Sequence, residues 1–124
     1  MPRLSNQEIK RLAFGAVVIY ERKQSRQAEI VERRRDGYDI LSQGNGDERH
    51  IEVKGSISVG SARIGLEPSE LNHMQKDARF YLYIVRNVGV DPSVHVFRRN
   101  DLLQHFKKID YQYVFCFNRA DFGE

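Results

Sequence analysis

Ile9, Leu12, Ala13, Ala16, Val17 and Tyr20 recur three, four and seven positions apart, a spacing that stacks them on one face of a helix. Ser5 precedes them with Glu8 three residues on, which is capping-box spacing. The pattern predicts a first helix over residues 6–23, weakened slightly by Gly15. Residues 24–36 are polar, and Ala28, Ile30 and Val31 fit a short strand or a loop equally well. Asp36-Gly37 reads as a turn. Tyr38-Asp39-Ile40-Leu41 follows as a short strand, and Gly44-Asn45-Gly46-Asp47 carries residues that tolerate positive φ in a hairpin. His50-Ile51-Glu52-Val53-Lys54 is the return strand, closed by Gly55.

Ile57 to Leu66 reads as a strand interrupted by a glycine-containing loop. Pro68 and Ser69 open a second helix that runs to about Asp77. Phe80-Tyr81-Leu82-Tyr83-Ile84-Val85 is the most strongly β stretch, and its near-continuous apolar run suits a central strand covered on both faces. Val94 to Phe97 form another strand after the turn at Asp91-Pro92. Asn100 is positioned to cap a short helix holding Leu102, Leu103 and Phe106. The alternating aromatic strand 111–117 comes last. The order predicts an α/β domain over residues 1–124, with a mixed sheet and helices on its faces.

Composition adds limits. A chain of 124 residues suits one core, and 30% charged residues imply a highly charged surface around it. The net charge of +3 and pI near 9.1 favour a polyanionic partner. Basic residues cluster at Lys10-Arg11, Arg22-Lys23, Arg33-Arg34-Arg35, Arg98-Arg99 and Lys107-Lys108, although each cluster also reads as solvated surface. No run of 18 apolar residues exists, so no membrane span is expected. The first residues lack an apolar signal stretch, and the expected location is cytoplasmic. Cys116 is the only cysteine, which excludes an internal disulfide and a thiolate metal cluster. It is expected as buried filler in the last strand. His50, His73, His95 and His105 show no metal-ligand spacing and read as surface or satisfied histidines.

The candidate chemistry lies in the hairpin. Glu-x-Lys occurs three times, as Glu8-Ile9-Lys10, Glu21-Arg22-Lys23 and Glu52-Val53-Lys54. The first two lie on the expected helix, where residues two apart point away from each other. The third lies on a strand, where such residues share a face. Asp39, on the other arm, comes beside Glu52 if the register permits. Two carboxylates and the Val53 carbonyl would make an all-oxygen site suited to Mg²⁺ or Mn²⁺. Lys54 would then hold an attacking water or stabilise charge at phosphorus. The alternative is a cross-strand ion cluster on a solvated sheet face.

These residues carry a resemblance. Gly37-Tyr38-Asp39-Ile40-Leu41-Ser42, then His50-Ile51-Glu52-Val53-Lys54-Gly55, resembles the NO VEIN C-terminal domain family, a domain of unknown function placed with the PD-(D/E)XK, restriction-endonuclease-like nucleases. The likeness continues through Ile64-Gly65-Leu66-Glu67-Pro68-Ser69-Glu70 and through Tyr81-Leu82-Tyr83-Ile84-Val85-Arg86-Asn87-Val88. Tyr20-Glu21-Arg22 is similar to a helix motif of members attached to helicases. The resemblance covers about residues 12–98.

The resemblance implies a restriction-endonuclease-like mixed central sheet flanked by helices. It implies Asp39 and Glu52 as metal ligands, Lys54 as the catalytic lysine and Glu70 at the family's helix glutamate. Two positions depart from the pattern. Many nucleases of this fold add a glutamate from the middle of the first helix, whereas Leu12 to Tyr20 contains no acid and Glu21 is the nearest. Glu67 stands where a threonine is expected.

The leading expectation is a Mg²⁺-dependent endonuclease acting on DNA in restriction, defence or repair, beside a helicase or restriction-system partner. The alternatives are an inactive nucleic-acid-binding or protein-assembly module of the same fold, and a homodimer formed through an exposed aromatic last strand.

Overall fold

A computed structural model describes residues 3–32, 37–109 and 112–124, the side chains of 107–109, 112 and 113 excepted. The first helix, α1, spans Asn6–Lys23, as its apolar period predicts. Its start is fixed by the capping box: Glu8 N–H donates to Ser5 Oγ at 3.1 Å, and Ser5 N–H donates to Glu8 Oε1 at 3.0 Å. The ambiguous segment that follows contains a strand, β1 (Gln27–Ile30). The expected Asp36-Gly37 turn and the Arg33-Arg34-Arg35 run fall mostly outside the described residues.

The hairpin is formed by β2 (Ile40–Gly44) and β3 (Asp47–Gly55). Asn45 and Gly46 both take positive φ between them, +54° and +80°. That is the two-residue turn whose twist matches the strands. The strand expected at Tyr38 begins two residues later, so Asp39 sits at its mouth rather than inside the ladder. After β3 come β4 (Ala62–Gly65), helix α2 (Pro68–Lys76), β5 (Phe80–Arg86) and β6 (Ser93–Arg98). A short helix, α3 (Arg99–Leu102), and a 3₁₀ turn lead into β7 (Phe106–Ile109) and β8 (Gln112–Phe117). Asn100 lies inside α3 and does not cap it. Its start is Arg98, whose N–H donates to Asp101 Oδ2 at 3.3 Å.

The strands form two sheets. The larger has the order β1-β2-β3-β5-β6, and the smaller has the order β4-β8-β7. Among the described residues only β3 and β5 pair in parallel, with Glu52 opposite Leu82 and Lys54 opposite Ile84. The other pairs are antiparallel, so the large sheet is mixed. The aromatic strand β8 lies between β4 and β7, not at the exposed edge expected for a dimerisation strand. Cys116 on it is half-buried rather than fully buried.

Side-chain alternation along β3 divides the molecule. Ile51 and Val53 face α1 and pack with Ala13, Phe14, Val17, Ile40, Tyr83 and Val85. Gly55 continues that face, and a Cβ there would stand 2.8 Å from the Ala13 Cβ. Glycine thus lets α1 lie close on the end of β3, above the hairpin mouth. The opposite face carries Phe80, Leu82 and Ile84 of β5. These pack with Met74 of α2 and with Phe115 and Phe117 of β8. His50, Glu52 and Lys54 share the parity of this second face, next to α2.

A candidate metal centre

An open cleft of about 680 Å³ lies at the hairpin mouth, lined among others by Asp39, Glu52, Val53, Lys54 and Glu70. Three elements bring these residues there. The β2–β3 register ends at Ile40 opposite Ile51, so β3 runs past its neighbour. Asp39 fills the position that a ladder partner would take. Its N–H donates to Ile51 O at 3.0 Å, and its Oδ2 accepts the Val53 N–H at 2.9 Å. Glu52 and Lys54 follow on the α2 side of β3. Helix α2 begins with Pro68 after Glu67, and the Glu67 N–H donates to Glu70 Oε1 at 2.8 Å, which turns Glu70 back toward the cleft.

The structure therefore brings Asp39, Glu52 and Lys54 together and adds Glu70. Lys54 Nζ donates to both Glu70 oxygens, at 3.0 and 3.1 Å, and stands 3.9 Å from Glu52 Oε1. Asp39 and Glu52 are buried, while Lys54 is half-exposed to the cleft. The backbone of Val53 is at the cleft while its side chain packs under α1.

Electrostatics distinguishes this cluster from a solvated ion array. Burial pushes Glu52 far above the usual carboxylate range, and its hydrogen bonds to Glu70 and Asp39 and the charges of both reinforce the shift. Burial also raises Asp39, against the opposing hydrogen bonds from Val53 N–H and Glu52. Glu70 is pulled down. Burial works to raise it, but hydrogen bonds from Glu52, the Glu67 amide and Lys54 outweigh burial. Burial and the two neighbouring carboxyl groups thus favour the protonated form of Glu52. Three carboxyl groups packed so closely favour positive charge among them, and Lys54 Nζ supplies it on the Glu70 side.

The donor set also fits a divalent cation. Carboxylate oxygens and a backbone carbonyl are hard ligands of the kind Mg²⁺ and Mn²⁺ take, and such an ion would compete with protonation of Glu52. Asp39, Glu52 and the Val53 carbonyl are the groups placed to hold it.

The first helix contributes no acid to the cleft. Its lining residues are Asn6, Ile9, Lys10, Ala13 and Phe14. Glu21 is engaged elsewhere, fully buried at the far end of α1. It lies 3.5 Å from Arg26 and 3.7 Å from Arg49, and Arg49 donates to the Tyr83 hydroxyl at 2.8 Å. Lys10 reaches the cleft rim, paired with Glu32. That pairing raises the Lys10 pKa, with smaller contributions from Asp39 and Glu52. Sequence reasoning missed Lys10 and Glu32. The spacing of Asn6, Ile9, Lys10 and Ala13 marks a single helix face that points at the hairpin. It also missed a cluster of His50, His73 and Asp77, whose ligating atoms converge in space although the histidines have no motif spacing.

This mixed sheet with helices is a restriction-endonuclease-like fold. The structure is similar to that of a Holliday junction resolvase from the archaeal hyperthermophile Archaeoglobus fulgidus, with a TM-score of 0.57 and 13% sequence identity. The match covers 88% of this chain and 90% of the resolvase chain. The chain belongs to the family described as protein NO VEIN, C-terminal, whose model matches residues 9–97. No curated protein matches it. Among the described residues no helix is long and apolar enough to cross a membrane.

Proposed function

We propose that the chain is a nuclease that hydrolyses phosphodiesters in DNA with Mg²⁺ or Mn²⁺. The observation that carries this reading is the meeting of three carboxyl groups and one lysine in an open cleft. They come from the mouth of β2, from β3 and from α2. A structural ion cluster would pair acids with bases one to one. Here three carboxyl groups converge at Lys54, and two of them, Asp39 and Glu52, are buried. The fold shared with a Holliday junction resolvase supports a nucleic-acid substrate, as does the net positive charge.

In this reading Asp39 and Glu52, with the Val53 carbonyl, hold the cation. When bound, it would polarise the phosphodiester and acidify a water. The Val53 N–H bond keeps the Asp39 carboxylate aimed at the cleft. Lys54 Nζ, held by Glu70, orients the attacking water and stabilises the negative charge that grows on the phosphoryl oxygens. Half-exposure of Lys54 lets it reach a backbone lying in the cleft.

Purified protein should cut supercoiled plasmid or a four-way DNA junction with Mg²⁺ or Mn²⁺ and stop with a chelator. Asp39→Ala and Lys54→Ala should each abolish cutting. Activity that survives both substitutions overturns the proposal.

One observation favours a second reading, an inactive nucleic-acid-binding or assembly module: α1 offers Asn6 and Lys10 to the cleft and no carboxylate. That module would bind DNA with a steep salt dependence, indifferent to chelator and to Asp39→Ala.

A further inference from the structure

Adjacent to the carboxylate cleft, one side-chain step back along the same face of β3, lies a second convergence of polar groups. His50 Nδ1 stands 2.5 Å from Asp77 Oδ2, and His73 Nε2 stands 2.7 Å from the same oxygen. All three ligating atoms lie within 4.8 Å of one another. We infer that His50, His73 and Asp77 form a binding site for a divalent transition-metal ion of the Zn²⁺ class, separate from the all-oxygen cleft.

Donor counting is the first argument. The two nitrogens of His50 face two carboxylates, Asp77 Oδ2 through Nδ1 and Glu48 Oε2 through Nε2 at 2.6 Å. A neutral imidazole has one N–H and can satisfy only one of them. The second contact needs a further positive charge, either an added proton or a metal ion on Nδ1. With Nε2–H donating to Glu48, the Nδ1 lone pair is left facing Asp77 and His73. A carboxylate on the far nitrogen is what orients a metal-binding histidine and sets its tautomer.

Orientation of the other parts is the second argument. Asp77 has its Oδ1 engaged by the Arg79 N–H at 2.9 Å, which leaves Oδ2 for the centre. The rings are held in place without a metal. Tyr38 stacks on His50 with centroids 4.3 Å apart and planes 3° apart, and on His73 at 5.6 Å and 12°. Phe80 meets His73 edge-on. His73 lies in the last turn of α2 and Asp77 caps its end, with the Asp77 N–H donating to His73 O at 2.9 Å, so the end of one helix presents both.

The geometry needs a small opening. Ligand atoms around a tetrahedral Zn²⁺ at its usual bond lengths are about 3.3 Å apart, so the two N···O distances must widen by less than an ångström. Three protein ligands leave a fourth position open, as in a reactive zinc centre rather than a closed structural one. The two imidazole nitrogens favour Zn²⁺ or Co²⁺ over Mg²⁺, whereas the all-oxygen cleft suits Mg²⁺ when that ion is in large excess.

The test is titration of chelator-stripped protein with Co²⁺ in the presence of millimolar Mg²⁺, followed by visible absorption. One equivalent should bring up the bands of low-coordinate Co²⁺, and one equivalent of Zn²⁺ should remove them. His73→Ala, His73→Gln and Asp77→Asn should each weaken Co²⁺ binding by about 100-fold or more. Glu48→Gln should weaken it about 10-fold. Glu52→Gln should leave it unchanged. In parallel, Zn²⁺ added to the wild-type chain should shift the imidazole NMR signals of His50 and His73 and not those of His95 or His105. No saturable band at one equivalent, shifts confined to His95 or His105, or loss of the band in Glu52→Gln with retention in His73→Gln overturns the inference.

Discussion

The Asp39 carboxylate accepts the backbone N–H of Val53 at 2.9 Å, in the place where a strand would otherwise pair. One side chain therefore closes the ladder and presents an oxygen to the cleft. The two roles separate by substitution. Asp39→Asn can still accept the Val53 N–H through its amide oxygen, whereas Asp39→Ala leaves that buried donor unpaired, at about 1–3 kcal/mol. Urea denaturation should rank Asp39→Asn above Asp39→Ala by about that amount. Both should lack Mg²⁺-dependent cutting.

Glu52, with Asp39 shifted in the same direction, makes stability depend on pH above the ordinary carboxylate range. Burial, then its contacts with Glu70 and Asp39, hold its folded pKa above the ordinary value of 4.5. The folded chain then binds more protons than the unfolded chain, so stability falls as pH rises from about 4.5 through neutrality. Chemical denaturation in chelator across this range should show the decline, and Glu52→Gln should flatten it. Mg²⁺ should restore stability most at the alkaline end, by about 2.7 kcal/mol at 100 times its Kd.

Lys54 and Glu70 form the charged pair at the cleft wall. Replacing Lys54 with methionine keeps the stem and removes the donor. Turnover should fall about 10²–10³-fold, as for removal of one transition-state donor, with DNA binding nearly unchanged. Glu70→Gln keeps a hydrogen bond to Lys54 but removes a charge, and its loss of turnover should be smaller. Single-turnover cleavage and binding isotherms measured together check both.

Glu21 is placed in the scaffold, with Arg26 and Arg49, and not in the cleft. Glu21→Ala strips a buried partner from both arginines and should cost about 3 kcal/mol, since Arg26 keeps its bonds to Ser42 and Gly44. Cutting per folded molecule should stay within twofold. Lost cutting at unchanged stability would instead make Glu21 the missing helix acid.

How far the sequence is readable follows from which features are local. Helix α1 was legible to its ends because Ser5, Glu8 and the apolar period act within one element. The shared face of Glu52 and Lys54 was legible from strand alternation, and the turn at Asn45-Gly46 set Asp39 opposite them. The partition into two sheets was not legible, because the alternation of residues 111–117 marks a strand without naming its neighbours. The Asn100 cap failed because β6 runs one residue past Phe97 and Asp101 reaches back to Arg98. His50 shares the parity of Glu52 and Lys54, but its partners His73 and Asp77 arrive from the last turn and the C-cap of α2, and no spacing rule joins a strand histidine to them.

A Mn²⁺-soaked crystal measured for anomalous scattering tests the central claim most directly. The expected result is a peak within about 2.3 Å of carboxylate oxygens of both Asp39 and Glu52, with the Val53 carbonyl in the same shell. A saturating soak that leaves those oxygens without a peak would contradict the account.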